Sequence, residues 1–175
     1  YIYIEARPKG SNFFGSISNT ITRFFRRRYL QNERLFVFLF VFIALIFGGL
    51  ASSNTSTDIW YQNLNKANLN PPGYVFGIVW PILYLFMSIS AYRTFDTTYK
   101  IFYIQLFLNA IWSWLFFYYH LPLIALIDIY LLIFINIRVT YLMIKDDLLS
   151  SILYSPYVIW LLFASYLNVF IVFNN

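Results

Sequence analysis

Residues 35–51 read LFVFLFVFIALIFGGLA, seventeen consecutive residues without a charged side chain. Four more long apolar stretches follow along the chain, at residues 74–92, 101–119, 122–144 and 148–173. About 20 apolar residues of helix cross the hydrocarbon core of a bilayer, and lipid cannot satisfy the hydrogen bonds of an open backbone. The stretches also lack the strict alternation that is typical of a membrane β-barrel. The sequence therefore predicts an all-α fold, a bundle of five transmembrane helices.

The composition excludes most soluble functions. Of the 175 residues, 61% are hydrophobic and only 11% are charged, against about 25% charged in a typical soluble domain. The chain has no cysteine and a single histidine, His120, so we expect no metal site. No nucleotide-binding loop, zinc-protease motif or Ser–His–Asp arrangement can be read from the sequence. We expect the lipid bilayer, and no nucleic acid, to be the partner of the chain.

The charges and polar segments divide the chain into two parts. Residues 1–34 include the run RFFRRR at 23–28, which predicts a basic N-terminal extension. This extension is either a targeting or membrane-surface segment, or a flank that merely orients the first helix. The chain starts at Tyr1 without an initiating Met, as expected of a fragment or a processed protein. Residues 35–175 are predicted to form the transmembrane domain.

The predicted connections differ in length. Residues 52–73, between the first two helices, are polar and predict a long loop that acts as a lid, since loops of that length in compact bundles are usually functional. The other predicted connections are shorter and lie at residues 93–100, 120–121 and 145–147.

The distribution of basic residues predicts the orientation in the membrane. With five spans, eleven of the twelve Lys and Arg residues fall on the side of the N-terminus, and only Lys66 lies on the other side. This asymmetry predicts a cytosolic N-terminus. The sequence leaves the host membrane open between the mitochondrial outer membrane, another intracellular membrane and a bacterial membrane.

Polar and aromatic residues recur at helical spacing on four of the predicted helices. The rows are Phe76, Trp80, Tyr84 and Ser88; Gln105, Asn109, Trp112 and Phe116; Asp128, Leu132, Asn136 and Thr140; and Tyr157, Trp160, Ala164 and Asn168. If these faces converge, they enclose an aromatic-walled cavity that suits a flat apolar ligand with polar edges. Interhelical hydrogen bonding and ordinary packing would produce the same rows. The spacing alone leaves both interpretations open.

Several short motifs occur in a specific order. WYQNLNK at residues 60–66 is followed by PPGYVF at 71–76, by QxxLNxxW at 105–112 and by SPYxxW at 155–160. In a chain with five predicted helices, this order resembles the translocator protein family (TspO/MBR), also called tryptophan-rich sensory proteins or peripheral benzodiazepine receptors. The resemblance covers residues 35–175.

The resemblance implies a membrane receptor or translocator that binds porphyrin or haem-type tetrapyrroles within the bundle. It also implies benzodiazepine-type synthetic ligands, a homodimer and no required cofactor. By motif, it places ligand contacts at Tyr61, Trp80, Asn109, Trp160 and Ala164. Together with the rows, the predicted ligand-binding residues are Tyr61, Trp80, Tyr84, Gln105, Asn109, Trp112, Tyr157, Trp160, Ala164 and Asn168.

Two alternative functions remain open at this point. Some bacterial members of the family promote light-dependent porphyrin breakdown, and Trp80 and Trp160 would be the candidate residues for such an enzyme. A sterol- or lipid-binding scaffold is the second alternative. The sterol motif of animal members lacks its basic residue here, because no Lys or Arg follows Leu161 and Tyr166.

Overall fold

The computed structural model describes residues 33–175, and residues 1–32, which make up most of the predicted N-terminal extension, lie outside this part. The helices are α1 (Glu33–Ser52), α2 (Ile59–Asn63), α3 (Gly73–Arg93), α4 (Phe95–Ser113), α5 (Pro122–Asp146) and α6 (Leu148–Asn174). All of these except α2 are long and apolar enough to span a bilayer, and the described residues contain no strand. The prediction of an all-α fold with five spanning helices is confirmed. All contacts discussed below lie within the compact unit Val37–Asn175.

The predicted start of the third spanning helix, at residue 101, is wrong. Helix α4 begins at Phe95, and only Thr94 separates it from α3. Thr94 serves both helices, because its N–H donates to Ser90 O at 3.1 Å and its carbonyl accepts from Thr98 N at 3.0 Å. The first turns of α4 contain charged residues, so the apolar stretch begins later than the helix. Similarly, α5 continues to Asp146, two residues beyond its apolar stretch.

The interior of the unit forms where α5 packs against α4 and α6, and where α3 packs against α6. Large side chains such as Met87, Phe102 and Tyr154 are completely buried there. Large apolar side chains such as Phe134 and Ile159 are exposed on the outside. Exposed apolar surface of this kind is unfavourable in water and favourable in lipid. The outer faces of the helices therefore suit a hydrocarbon environment.

The connection between α1 and α3, residues 53–72, contains the short helix α2, which the sequence did not predict. Asp58 caps this helix, since its Oδ1 accepts a hydrogen bond from Trp60 N at 2.9 Å. A carboxylate at this position satisfies a backbone donor that has no partner within the helix. The cap thereby sets the direction in which Trp60 and the following Tyr61 leave the backbone.

Two contacts fasten this connection to the bundle. His120, between α4 and α5, has a φ of 54°; its Nε2 donates to Asp58 Oδ2 at 2.9 Å, and its ring stacks on Trp60 at 4.2 Å. Further along, the Asn175 side chain accepts from Asn65 N at 2.7 Å and donates to Asn65 O at 3.2 Å. These hydrogen bonds hold the connection at two separate points, one at Asp58 and one at Asn65.

Candidate functional site

A cavity of about 780 Å³ lies between the connection 53–72 and helices α1, α3, α4 and α6. Its volume is within the range of small-molecule sites, about 300–1,000 Å³. Its lining includes Gly48 and Gly49 from α1; Tyr61, Gln62, Lys66 and Asn70 from the connection; Phe76, Trp80 and Tyr84 from α3; Asn109 and Trp112 from α4; Phe117 from the π-helical turn that follows α4; and Trp160 and Ala164 from α6.

One wall of the cavity is built from aromatic rings of α3 and α6. The rings of Trp80 and Trp160 are nearly perpendicular, at 85°, with centroids 6.4 Å apart. Phe76 meets Trp160 edge to face at 5.8 Å, and Tyr84 meets Trp80 at 5.8 Å. Residues four apart share a face of a helix, so α3 presents its three rings in one column. Edge-to-face contacts stabilise aromatic pairs beyond simple burial, and they give this wall a defined shape.

A second aromatic group lies where α4 ends in a π-helical turn, Trp114–Tyr118. Trp112 stacks on Phe116 at 5.4 Å and meets Phe117 edge to face at 5.9 Å. A π turn contains more residues than an α turn, which is consistent with two successive Phe rings contacting the same indole. Phe117 also contacts Tyr61 at 5.6 Å. This group therefore joins α4 to the connection 53–72.

Tyr61 reaches the cavity from α2. Burial raises the pKa of the Tyr61 hydroxyl above its ordinary value, so the group stays protonated at neutral pH and can donate a hydrogen bond. Lys66 Nζ lies 4.3 Å from the centre of the Tyr61 ring. The connection thus supplies both a phenol and a cation to the cavity.

The floor of the cavity is polar and belongs to a hydrogen-bond network between helices. The hydroxyl of Tyr84 donates to Asn109 Oδ1, and Asn109 Nδ2 donates to the hydroxyl oxygen of Tyr157 at 2.7 Å. Tyr157 in turn donates to Gln105 Oε1 at 3.0 Å. Tyr84 and Asn109 line the cavity, whereas Gln105 and Tyr157 lie behind them. The network therefore fixes the floor from the interior of the bundle.

The same network continues into α5. Asn136 Nδ2 lies 3.5 Å from Gln105 Oε1 and donates to Leu132 O at 2.8 Å. The hydroxyl of Tyr154 donates to Asn136 Oδ1. These side chains are completely buried, where an unpaired polar group is costly. Interhelical hydrogen bonding therefore accounts for part of the polar rows that the sequence showed.

Seven of the ten predicted ligand-binding residues line the cavity. They are Tyr61, Trp80, Tyr84, Asn109, Trp112, Trp160 and Ala164. The other three do not line it: Gln105 and Tyr157 belong to the network, and the carboxamide of Asn168 fits the first turn of α5, accepting from Leu126 N at 2.8 Å and donating to Pro122 O at 3.2 Å. That any of the ten contacts a ligand stays a prediction.

Sequence reasoning missed Lys66 as a cavity residue. Among the described residues that line the cavity, Lys66 is the only charged one. One signal in the sequence could have identified it, because Lys66 is the single basic residue on its side of the predicted membrane topology. Gln62 and Asn70 were also missed, since polar residues in a connection show no helical spacing.

Two cavity-lining tryptophans have unsatisfied donors. Within the described part of the chain, Trp112 Nε1 and Trp160 Nε1 are buried without a hydrogen-bond acceptor. An unsatisfied buried donor typically costs about 1–3 kcal/mol. A ligand with acceptor atoms would recover part of this cost if the indole rings turned towards it.

Comparison with known proteins gives consistent matches. The TspO/MBR family profile matches residues 36–173. The chain is 34% identical over 133 residues to the tryptophan-rich protein TspO of Archaeoglobus fulgidus, covering 72% of this chain and 86% of that protein. The corresponding protein of Chlorobaculum tepidum is 33% identical over 135 residues, covering 72% and 85%. Protein CrtK of Rhodobacter capsulatus is 29% identical over 144 residues, covering 77% and 89%.

The match extends over nearly all of the described residues, including every helix that can span a bilayer. The matched range includes the motifs at residues 60–66, 71–76, 105–112 and 155–160. The chain is therefore a multi-pass integral membrane protein that belongs to the TspO/MBR family.

Proposed function

We propose that the protein binds porphyrin or haem-type tetrapyrroles in this cavity, as a membrane receptor or translocator. The observation that carries the proposal is the wall formed by Trp80 and Trp160 beside a space of about 780 Å³. A flat macrocycle offers π-faces to such rings, and aromatic contacts favour offset-stacked or edge-to-face geometry. Small-molecule sites typically combine an apolar wall with a few placed polar groups.

The polar groups of the cavity would orient the edges of the ligand. Tyr84 donates to Asn109, which leaves the Tyr84 hydroxyl oxygen as an acceptor for a pyrrole N–H. The buried indole N–H groups of Trp112 and Trp160 have no acceptor among the described residues and would donate to the ligand once the rings turn towards it. In this proposal the aromatic wall binds the face of the macrocycle, and the polar groups of the cavity fix the orientation of its edges.

The test is a fluorescence titration of the detergent-purified protein with protoporphyrin IX, corrected for porphyrin absorbance with free tryptophan. We expect saturable quenching with wild type and at least about tenfold weaker binding when Trp80→Ala and Trp160→Ala are combined, since tenfold is 1.4 kcal/mol. The control is Trp114→Ala, because Trp114 lies outside the cavity lining and donates to Phe47 O. Unchanged affinity in the folded double variant, or no saturable quenching in folded wild type, would contradict the proposal.

A light-dependent porphyrin-degrading enzyme is the second candidate. The observation that favours it is that the indoles of Trp80 and Trp160 lie 6.4 Å apart on the same wall. Under illumination, wild type with bound porphyrin should then lose porphyrin absorbance faster than Trp80→Phe with Trp160→Phe at equal bound porphyrin. Equal rates would leave binding as the function and exclude these tryptophans from the chemistry.

We also propose that the N-terminus is cytosolic and that the cavity end with Lys66 faces the opposite side. The distribution of eleven basic residues against one supports this orientation. Because the chain has no cysteine, single cysteines can be introduced by Asn65→Cys and Asp146→Cys. A membrane-impermeant maleimide added to intact cells should label the first variant alone, and labelling of the second alone would reverse the orientation.

A further inference from the structure

The charge inside the cavity is of one sign. Among the described lining residues, Lys66 is the only one with a charged side chain, and none is Asp or Glu. Lys66 is half-buried, so its ammonium group is partly shielded from water. A charge in a partly desolvated site interacts more strongly with an opposite charge than it would in bulk water.

Lys66 has no carboxylate partner within the described residues. Ion pairs elsewhere in this part of the chain, such as Arg93 with Asp147 and His120 with Asp58, do not include Lys66. Asp58 is the acid next to α2, and both of its oxygens are occupied, Oδ1 by the backbone of α2 and Oδ2 by His120. The cation in the cavity is therefore available to a ligand.

The position of Lys66 is nevertheless defined. Its Nζ lies over the ring of Tyr61 at 4.3 Å from the centroid, within the distance of a cation–π interaction. Tyr61 is itself held against Phe117 at 5.6 Å. A lysine that is placed by an aromatic ring and not by an acid keeps its hydrogen-bond donors free for an incoming acceptor.

The cavity has a polar side and an aromatic side. The connection 53–72 contributes polar lining residues such as Gln62 and Asn70 beside Lys66, whereas α3 and α6 contribute the aromatic wall with Trp80 and Trp160. A ligand that matches both parts has an apolar, flat body and an acidic group at one edge.

We propose that Lys66 binds a carboxylate of the ligand and thereby selects acidic flat molecules over neutral molecules of the same shape. The inference rests on the proposed tetrapyrrole function and deepens it, because it places the acidic edge of the bound ligand beside the connection 53–72. Lys66 donates to the carboxylate, and the apolar body of the ligand lies against the aromatic wall. Hydrogen bonds to charged groups are stronger than neutral ones.

The experiment compares protoporphyrin IX with its dimethyl ester, which has the same ring and no ionised carboxylate. Both are titrated into detergent-purified wild type in neutral detergent and followed by tryptophan fluorescence. We expect wild type to bind the diacid about tenfold more tightly than the ester, an effect discounted for the half-exposed lysine. Lys66→Met should lower the affinity for the diacid to about that for the ester, so that the preference for the diacid is lost. Lys66→Arg should retain the preference.

The control is Lys100→Met, because Lys100 is an exposed basic residue outside the cavity lining. We expect this variant to keep the full preference for the diacid. Equal affinities of wild type for the diacid and the ester, or an unchanged preference in Lys66→Met, would overturn the inference about Lys66 alone. No saturable binding of either compound to folded wild type would overturn the proposed function and this inference together.

Discussion

The hydrogen bond between Tyr84 and Asn109 fixes the floor of the cavity, and its strength can be measured. Asn109→Leu removes the acceptor of Tyr84 and the donor to Tyr157, which lies at 2.7 Å. Tyr157 keeps a partner, because it still donates to Gln105 at 3.0 Å. The Tyr84 hydroxyl loses its acceptor among the described residues. We therefore expect the cost of Asn109→Leu to come mainly from Tyr84.

The size of the effect follows from these partners. Tyr84 is only 4% exposed, and an unsatisfied buried hydroxyl costs about 1–3 kcal/mol. Interhelical hydrogen bonds in membrane proteins average about 0.6 kcal/mol in double-mutant cycles and reach about 1.7 kcal/mol. Because Tyr84 is buried, we expect a coupling of about 1 kcal/mol between Tyr84→Phe and Asn109→Leu. The double variant should lose less stability than the sum of the single variants.

The assay is reversible unfolding in mixed detergent micelles, followed by tryptophan fluorescence, for wild type, both single variants and the double variant. The control cycle pairs Tyr84→Phe with Thr97→Ala, since Thr97 donates to Asp146 at 2.7 Å in a different hydrogen bond. Substitutions without shared partners should be additive within about 0.3–0.5 kcal/mol. Additivity of the Tyr84 and Asn109 substitutions as well would refute a shared hydrogen bond and the organised floor derived from it.

Three further predictions concern other parts of the molecule. The hydrogen bond from Arg93 lowers the pKa of Asp147 from 3.8 to about 2. The stability that the ionised Asp147 contributes is present above pH 4 and is lost as the pH falls towards 2. Asp147→Asn should therefore reduce the fall in melting temperature between pH 4 and pH 2. Asn175→Ala removes both hydrogen bonds to Asn65 and should speed amide hydrogen exchange in the connection between α1 and α3, while exchange in α5 stays unchanged. Ala164→Leu adds bulk to a cavity-lining position and should weaken protoporphyrin binding about tenfold in the titration above, whereas equal affinity would place the ligand elsewhere.

The number and position of the spanning helices were predictable because lipid imposes a length and a composition on each helix. Helix ends were less predictable, since apolar character and helical structure do not stop at the same residue. Phe95 begins α4 six residues before the apolar stretch, and Thr94 allows this because it takes part in the hydrogen bonds of both α3 and α4. Helix α2 was not predicted, because five residues are too few to show a hydrophobic period.

For the candidate site, the sequence predicted which residues share a helix face. It did not predict which residues of that face reach the cavity. A spacing of four residues places Gln105 and Asn109 on the same side of α4. Only Asn109 reaches the cavity, whereas Gln105 accepts a hydrogen bond from Tyr157 behind the cavity floor. Whether a polar side chain serves a neighbouring helix or a cavity depends on the partner that the fold brings close. Lys66 belongs to an irregular segment, and only the fold places such a segment beside the aromatic wall.

The two contacts that hold the connection between α1 and α3 have a kinetic consequence. His120 with Asp58 and Asn175 with Asn65 fasten this segment, and none of the four residues is among the described residues that line the cavity. Weakening either fastening would favour an open arrangement without removing a contact to the ligand. Association and dissociation would then accelerate by a similar factor, and the dissociation constant would change little. For the ligand proposed above, the time that it stays bound would thus be set at the fastenings, while the aromatic wall and Lys66 would determine which ligand binds.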